Sequence, residues 1–265
     1  MENVLNYRSR PIPDLEEACL RRKVSREHPL VFSDERSFER CVRIDEYGIA
    51  GDSYYYREEG NPPYDHRAEG SIPHVLVRKS VAEMLASVNE RLCRVGVELY
   101  VFDAYRPVRV QDYFFLDWMP SVLRKRYPDW SDDEIDAETR NYWGRGSRED
   151  GKVDLFSPPF HSTGGAVDLL LREIRTGGFI HTGSFFDDFS PASATDFYER
   201  LALVKNLDAW ETEALLNRRL LYWVLLEAGF ANNPKELWHF SYGDQLWAVL
   251  TGEREAFYSF SLIDV

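Results

Sequence analysis

The sequence predicts an α+β fold built on a small antiparallel sheet flanked by helices. Short β-type runs lie among helices of unequal length, without the regular strand–helix alternation of a parallel α/β protein. No internal repeat or low-complexity linker divides the 265 residues, so a single domain is expected over 1–265.

Up to about residue 73 the chain is rich in turns and aromatics, among them Tyr54, Tyr55, Tyr56 and the Asn61-Pro62-Pro63 break. The first clear helix begins at Ser80, where Ser80 and Glu83 form a capping-box pattern. Val81, Met84, Leu85, Val88 and Leu92 share one of its faces, and Gly96 ends it. Glu98–Asp103 (ELYVFD) then reads as a strand, with β-branched and aromatic residues bounded by turn signals. From Val108 to about Trp143 the pattern is helical, and Ser131 with Glu134 repeats the capping box after the Tyr127-Pro128 break. Gly144 to Pro159 is loop by composition, and Ala166–Leu171 (AVDLLL) is an apolar strand after the Gly164-Gly165 turn. A long amphipathic helix follows from about Ala209 to Ala228, with Gly229 as its left-handed terminator. Leu237–Tyr242 (LWHFSY) alternates like a strand.

A composition 44% hydrophobic and 29% charged belongs to a folded globular protein rather than a disordered one. The net charge of −13 argues against general affinity for nucleic acid or acidic membrane surfaces, which need a basic footprint. The N-terminus, MENVLNYRSRPIPDLEE, lacks the apolar run of a signal peptide. No stretch approaches the roughly 20 apolar residues of a membrane-spanning helix. Cys19, Cys41 and Cys93 are too few and too scattered for a disulfide framework. Together these features predict a cytoplasmic protein.

Six histidines allow each to be considered. His28, His66 and His74 have no acidic or cysteine partner at ligand spacing and read as surface or hydrogen-bonded residues. His161 differs, because it opens the string His161-Ser162-Thr163-Gly164-Gly165-Ala166-Val167-Asp168. Two glycines permit a tight reversal, so that His161 and Asp168 can converge on one point. An aspartate in an apolar strand is costly unless paired or metal-bound, and a plain His–Asp hydrogen bond would also meet that need.

Glu236-Leu237-Trp238-His239 adds a carboxylate three residues before a histidine. Two histidines and one aspartate suffice for a catalytic Zn²⁺ that keeps a position open for water. A glutamate near that water is the general base a hydrolase needs. Alternation would put Glu236 and His239 on opposite faces of a strand, so Glu236 is expected in the loop just before it. Arg106, in Asp103-Ala104-Tyr105-Arg106-Pro107, could stabilise an oxyanion, or it could simply pair with Asp103. Two histidines and a carboxylate also form the facial triad of Fe(II) oxygenases, but the usual His-x-Asp spacing is not the one here.

In order, D-x-Y-R-P at 103–107, H-x-x-G-x-A-x-D at 161–168 and E-x-W-H at 236–239 resemble the D-alanyl-D-alanine dipeptidases. These include the vancomycin-resistance dipeptidases, in a zinc peptidase superfamily shared with D-alanyl-D-alanine carboxypeptidases and the hedgehog-type fold. Gly183-Ser184-Phe185-Phe186-Asp187 is similar to a fourth family element, G-[ST]-x-F-D. The resemblance implies one zinc peptidase domain whose small sheet carries the zinc site. Its turn-rich N-terminal part would extend to about residue 73, with a helical insertion at about 117–158. It implies that His161, Asp168 and His239 ligate one Zn²⁺, that Glu236 activates water, and that Arg106 stabilises the tetrahedral intermediate. Asp187 would anchor the substrate ammonium or support the site from behind.

The implied substrate is a small D-amino-acid dipeptide, with no nucleic-acid or membrane partner. There are departures from the family pattern. Pro159 stands where relatives often have a serine that helps hold the substrate carboxylate, and His181 stands where an apolar residue is expected. Two alternatives stay open, a carboxypeptidase or dipeptidase acting on other peptidoglycan-derived peptides and a catalytically silent zinc-binding module. A silent module would have no need of both Glu236 and Arg106.

Overall fold

The computed structural model describes residues 3–261. In chain order its strands are β1 (Cys41–Arg43), β2 (Ala50–Gly51), β3 (Leu76–Arg78), β4 (Val97–Asp103), β5 (Ala166–Glu173), β6 (Ala231–Asn232) and β7 (His239–Ser241). The α-helices are α1 (Glu16–Lys23), α2 (Lys79–Cys93), α3 (Val108–Tyr113), α4 (Met119–Arg126), α5 (Asp132–Tyr142), α6 (Phe197–Val204), α7 (Ala209–Leu226) and α8 (Gln245–Thr251). The expected α+β class is observed. β1 and β3 form an antiparallel ribbon, while the main sheet has the order β2-β4-β5-β7-β6. Its pairs are antiparallel except for β2, a two-residue edge strand that runs parallel to β4.

The apolar stripe of α2 behaves as its spacing predicts: Val81, Leu85, Val88 and Leu92 are buried against the sheet, whose Leu99 and Val101 are fully covered. The helix start differs from expectation. It begins one residue early, at Lys79, and Ser80 makes no capping box. Instead its backbone N–H and hydroxyl both donate to Glu39 Oε1, at 3.0 and 2.7 Å, so a carboxylate distant in sequence does the capping. The capping box of α5 is present as predicted.

An N-terminal arm straps the molecule. Its 3-10 turn, Val4–Ser9, lies on α7. The Tyr7 hydroxyl bonds to Glu227, Arg8 donates to Asn217 and Glu213, and Arg10 stacks on Trp223.

Registry across the sheet sets up the chemistry. Asp103 on β4 lies opposite Asp168 on β5, and Asp168 lies opposite His239 on β7. Three ionisable residues thus form one row over three strands, just past a bulge between Val101 and Asp103. The Gly164-Gly165 pair delivers His161 to that row. Gly164 takes φ +74° to end the 3-10 turn His161–Thr163, a conformation that favours glycine. Gly165 serves close approach, since a Cβ there would lie 2.4 Å from the Tyr242 carbonyl oxygen. Gly165→Ala is therefore expected to destabilise the protein by about 1–3 kcal/mol. A urea midpoint matching that of the wild type would rule this out.

Candidate active site

Three ligand atoms, one each from His161, Asp168 and His239, lie within 4.8 Å of one another in the buried row. His161 Nδ1–H donates to the Ala104 carbonyl at 2.9 Å, which leaves Nε2 as a lone pair facing inward. His239 Nε2 lies 3.2 Å from Ser241 Oγ, which leaves Nδ1 facing inward. The two inward nitrogens are 3.0 Å apart. Asp168 Oδ2 is 3.3 Å from His161 Nε2, and Oδ1 is 3.0 Å from His239 Nδ1. Yet Oδ1 is buried without a hydrogen-bond partner of acceptable geometry. Lone pairs and an orphaned carboxylate oxygen converging in a dry place are mutually repulsive unless a cation sits among them. The donor set fits a metal ion, and the outer hydrogen bonds supply the orienting partners that metal-bound histidines usually have.

Electrostatics point the same way. Burial pushes the carboxyls of Asp103 and Asp168 above their ordinary range; Arg106 opposes the first and the Asp168 charge adds to it, while His239 and Arg106 oppose the second and Glu236 adds to it. Burial holds His161 well below its usual value, helped by Arg106 and His239. Burial also works against a charged His239, but the adjacent Asp168 carboxylate outweighs it and raises that pKa.

Of the two readings the sequence left open, Arg106 shows the pairing with Asp103. Its Nε donates to Asp103 at 2.9 Å, and its Nη1 donates to Gln111 at 2.8 Å. Its Nη2 donates to the Tyr55 hydroxyl at 3.2 Å and lies 3.4 Å from Asp168 Oδ2. The guanidinium is buried, pinned from behind and held at the edge of the ligand cluster. Its backbone is stitched to the histidine turn by Arg106 N–H to the His161 carbonyl and by Ser162 Oγ to the Arg106 carbonyl.

Glu236 sits before β7 rather than on it, as alternation required. Its Oε2 is 3.6 Å from His239 Nδ1, on the open side of the cluster. The tight turn carrying it is pinned by Asn232, whose side-chain amide donates to the carbonyls of Glu236 and His239.

Asp187 takes a left-handed φ of 56° and is half-buried. Its Oδ2 accepts from Tyr55 and Tyr64, at 2.8 and 2.7 Å, while Oδ1 accepts no hydrogen bond among the described residues. Burial raises its carboxyl to about 6, against the pull of Arg106 and the two tyrosines.

The cluster thus gathers His161, Asp168, His239, Glu236 and Arg106, with Asp187 reached through Tyr55. The remaining histidines are elsewhere. His28 bonds the Glu253 carbonyl, His66 bonds Tyr113, and His181 stacks on Trp210 at 3.7 Å. Sequence reasoning missed Tyr55, Tyr64, Gln111 and Asn232. The triple tyrosine and the Asn-Pro-Pro-Tyr turn were visible, but nothing in their spacing tied them to residues over a hundred positions away.

The family model described as D-ala-D-ala dipeptidase matches residues 67–259. A D-alanyl-D-alanine dipeptidase of Synechocystis sp. is 30% identical over 196 residues, covering 70% of this chain and 76% of the relative. The D-alanyl-D-alanine dipeptidase of Streptomyces coelicolor is 28% identical, covering 63% and 73%. That of Enterococcus faecalis is 26% identical, covering 66% and 76%. The matched span contains the buried histidine–aspartate–histidine cluster, Arg106, Asp187 and Glu236, and the chain belongs to the D-ala-D-ala dipeptidase family of metallopeptidases.

Proposed function

We propose that the protein hydrolyses the peptide bond of D-alanyl-D-alanine, or of a closely related small D-amino-acid dipeptide, using one Zn²⁺ held by His161, Asp168 and His239. The observation that carries this reading is the Glu236 carboxylate 3.6 Å from His239 Nδ1, beside three converging ligand atoms and bound to none of them by a hydrogen bond. The names of the relatives support the choice of dipeptide.

When bound, zinc acidifies a water ligand to a pKa of about 7 and polarises a carbonyl. Glu236 takes the proton from the attacking water and returns it to the departing amine. Arg106, oriented by Asp103 and Gln111, offers fixed positive charge to the oxygen that becomes negative in the transition state. Asp187 Oδ1 holds the substrate ammonium, while Tyr55 and Tyr64 fix the carboxylate by its other oxygen.

Residues 1–265 act as one peptidase domain in this reading, because Tyr55 and Tyr64, from the turn-rich N-terminal part, complete the site. The helical segment at about 117–158 adds Trp143, whose ring lies 5.1 Å from the Arg106 guanidinium. A cytoplasmic setting is supported by the free thiols of Cys19, Cys41 and Cys93. No described helix is long and apolar enough to cross a membrane.

Purified protein is expected to carry about one zinc per chain and to release alanine from D-Ala-D-Ala but not from L-Ala-L-Ala. Metal content by elemental analysis and an amino-acid release assay check this. Bound metal without D,D cleavage would overturn the substrate, and protein without metal would overturn the ligand set.

A further inference from the structure

We infer that Arg22, on the last turn of α1, binds the C-terminal carboxylate of the dipeptide. The inference rests on the proposed dipeptidase reading and adds to it a residue from outside the matched span of 67–259.

The position is unusual for a helix arginine. Arg21 beside it pairs with Glu17 on its own helix in the ordinary i, i+4 way, exposed to solvent. Arg22 instead reaches across to the active site, where its Nη2 lies 3.7 Å from Glu236 Oε1. That separation is too long for a hydrogen bond. Arg22 Nε is buried and has no partner among the described residues. A guanidinium carries a fork of N–H donors matched to a carboxylate, and burying one donor unpaired is costly. The side chain as a whole is about one-third exposed (36%).

The segment is held in place rather than draped. Arg26, one turn onward, donates to Ser157 Oγ and to the Arg145 carbonyl, in the loop that leads into His161. Gln245 at the start of α8 donates to the carbonyls of Arg26, His28 and Phe156. The turn that follows α1 is thereby tied to that loop and to α8.

The place of Arg22 follows from a chain of contacts. Contacts link Asp187 through Tyr55 and Arg106 to Asp168, then through His239 and Glu236 to Arg22. Asp187 and Arg22 stand at the two ends of that succession of contacts, and Asp168 and His239 belong to its middle. In a dipeptide the carboxylate lies about 4 Å beyond the scissile carbonyl, one residue's length away. The general base must touch the departing amine, so the carboxylate of the departing residue falls next to that base. Arg22 occupies that place. A carboxylate at one end and an ammonium at the other select dipeptides over longer chains, whose terminal charges cannot both be met.

The test compares D-Ala-D-Ala with its C-terminal amide, D-Ala-D-Ala-NH₂, on wild-type, Arg22→Ala and Arg22→Lys protein. Metal content and circular dichroism verify that each variant is folded and loaded. Wild type is expected to favour the free acid. Arg22→Ala should raise KM for the acid roughly 10- to 100-fold, the range for a lost charge-assisted hydrogen bond. KM for the amide should stay unchanged, so the preference collapses, and Arg22→Lys should recover part of it. An equal loss on both substrates, or a shifted pH profile of kcat with KM intact, would mean that Arg22 serves only Glu236 and would overturn the proposal. Unaltered kinetics in Arg22→Ala would overturn it too, leaving the dipeptidase reading standing. A wild type that cleaves neither compound would overturn both.

Discussion

Glu236→Ala protein is expected to keep its metal and to lose about 10²- to 10⁴-fold in kcat on D-Ala-D-Ala. The carboxylate lies outside the ligand triad, 3.6 Å from the nearest ligand nitrogen, and the turn that carries it is pinned through backbone carbonyls by Asn232. Removing the side chain therefore takes away the proton acceptor and little else. Glu236→Gln should do nearly the same damage, because it keeps the shape and loses the basicity. KM should change little, since Arg22 and Asp187 are untouched. Steady-state kinetics with a parallel metal assay separate the possibilities. A variant within threefold of wild type would remove Glu236 from the mechanism, while one that has lost its metal would make it a ligand.

The second large effect concerns the metal itself. His239→Ala should fall to background activity and lose metal on gel filtration. Removing even an outer partner of a metal ligand typically costs 10- to 100-fold in affinity, and a ligand should cost more. Thermal unfolding supplies a readout independent of turnover. A ligand that binds only the folded state stabilises it by RT ln(1 + [L]/Kd), so added zinc should raise the Tm of stripped wild-type protein and leave that of His239→Ala where it was. Equal shifts in both proteins would place the metal elsewhere.

The sheet and the clustering of His161, Asp168 and His239 were legible because each rests on short, local chemistry. His161 and Asp168 flank a glycine pair whose two members turned out to have separate duties, a positive φ at Gly164 and close backbone contact at Gly165. Glu236 and His239 could be ordered by alternation alone. What escaped detection depends on side chains arriving from far away in sequence. Ser80 looked like the start of a capping box, yet Glu39 caps that helix from another part of the chain. Tyr55 and Tyr64 had no periodicity linking them to Asp187, and Arg22 sat in a run of basic residues where a solvated helix end was the obvious reading. The parallel edge strand β2 is two residues long, too short to leave any pattern.

The N-terminal arm has a bearing on how the protein is made. Tyr7 and Arg8 are held by Glu227 and Asn217, 220 and 209 positions later in the chain. A ribosome delivers the arm well before its docking surface, so the emerging arm has nothing of its own to close upon. Arg22 and Glu236 share that schedule, from opposite ends of the chain. The proposed substrate site therefore cannot assemble until Glu236 has been made, and a nascent chain stalled before α7 lacks it.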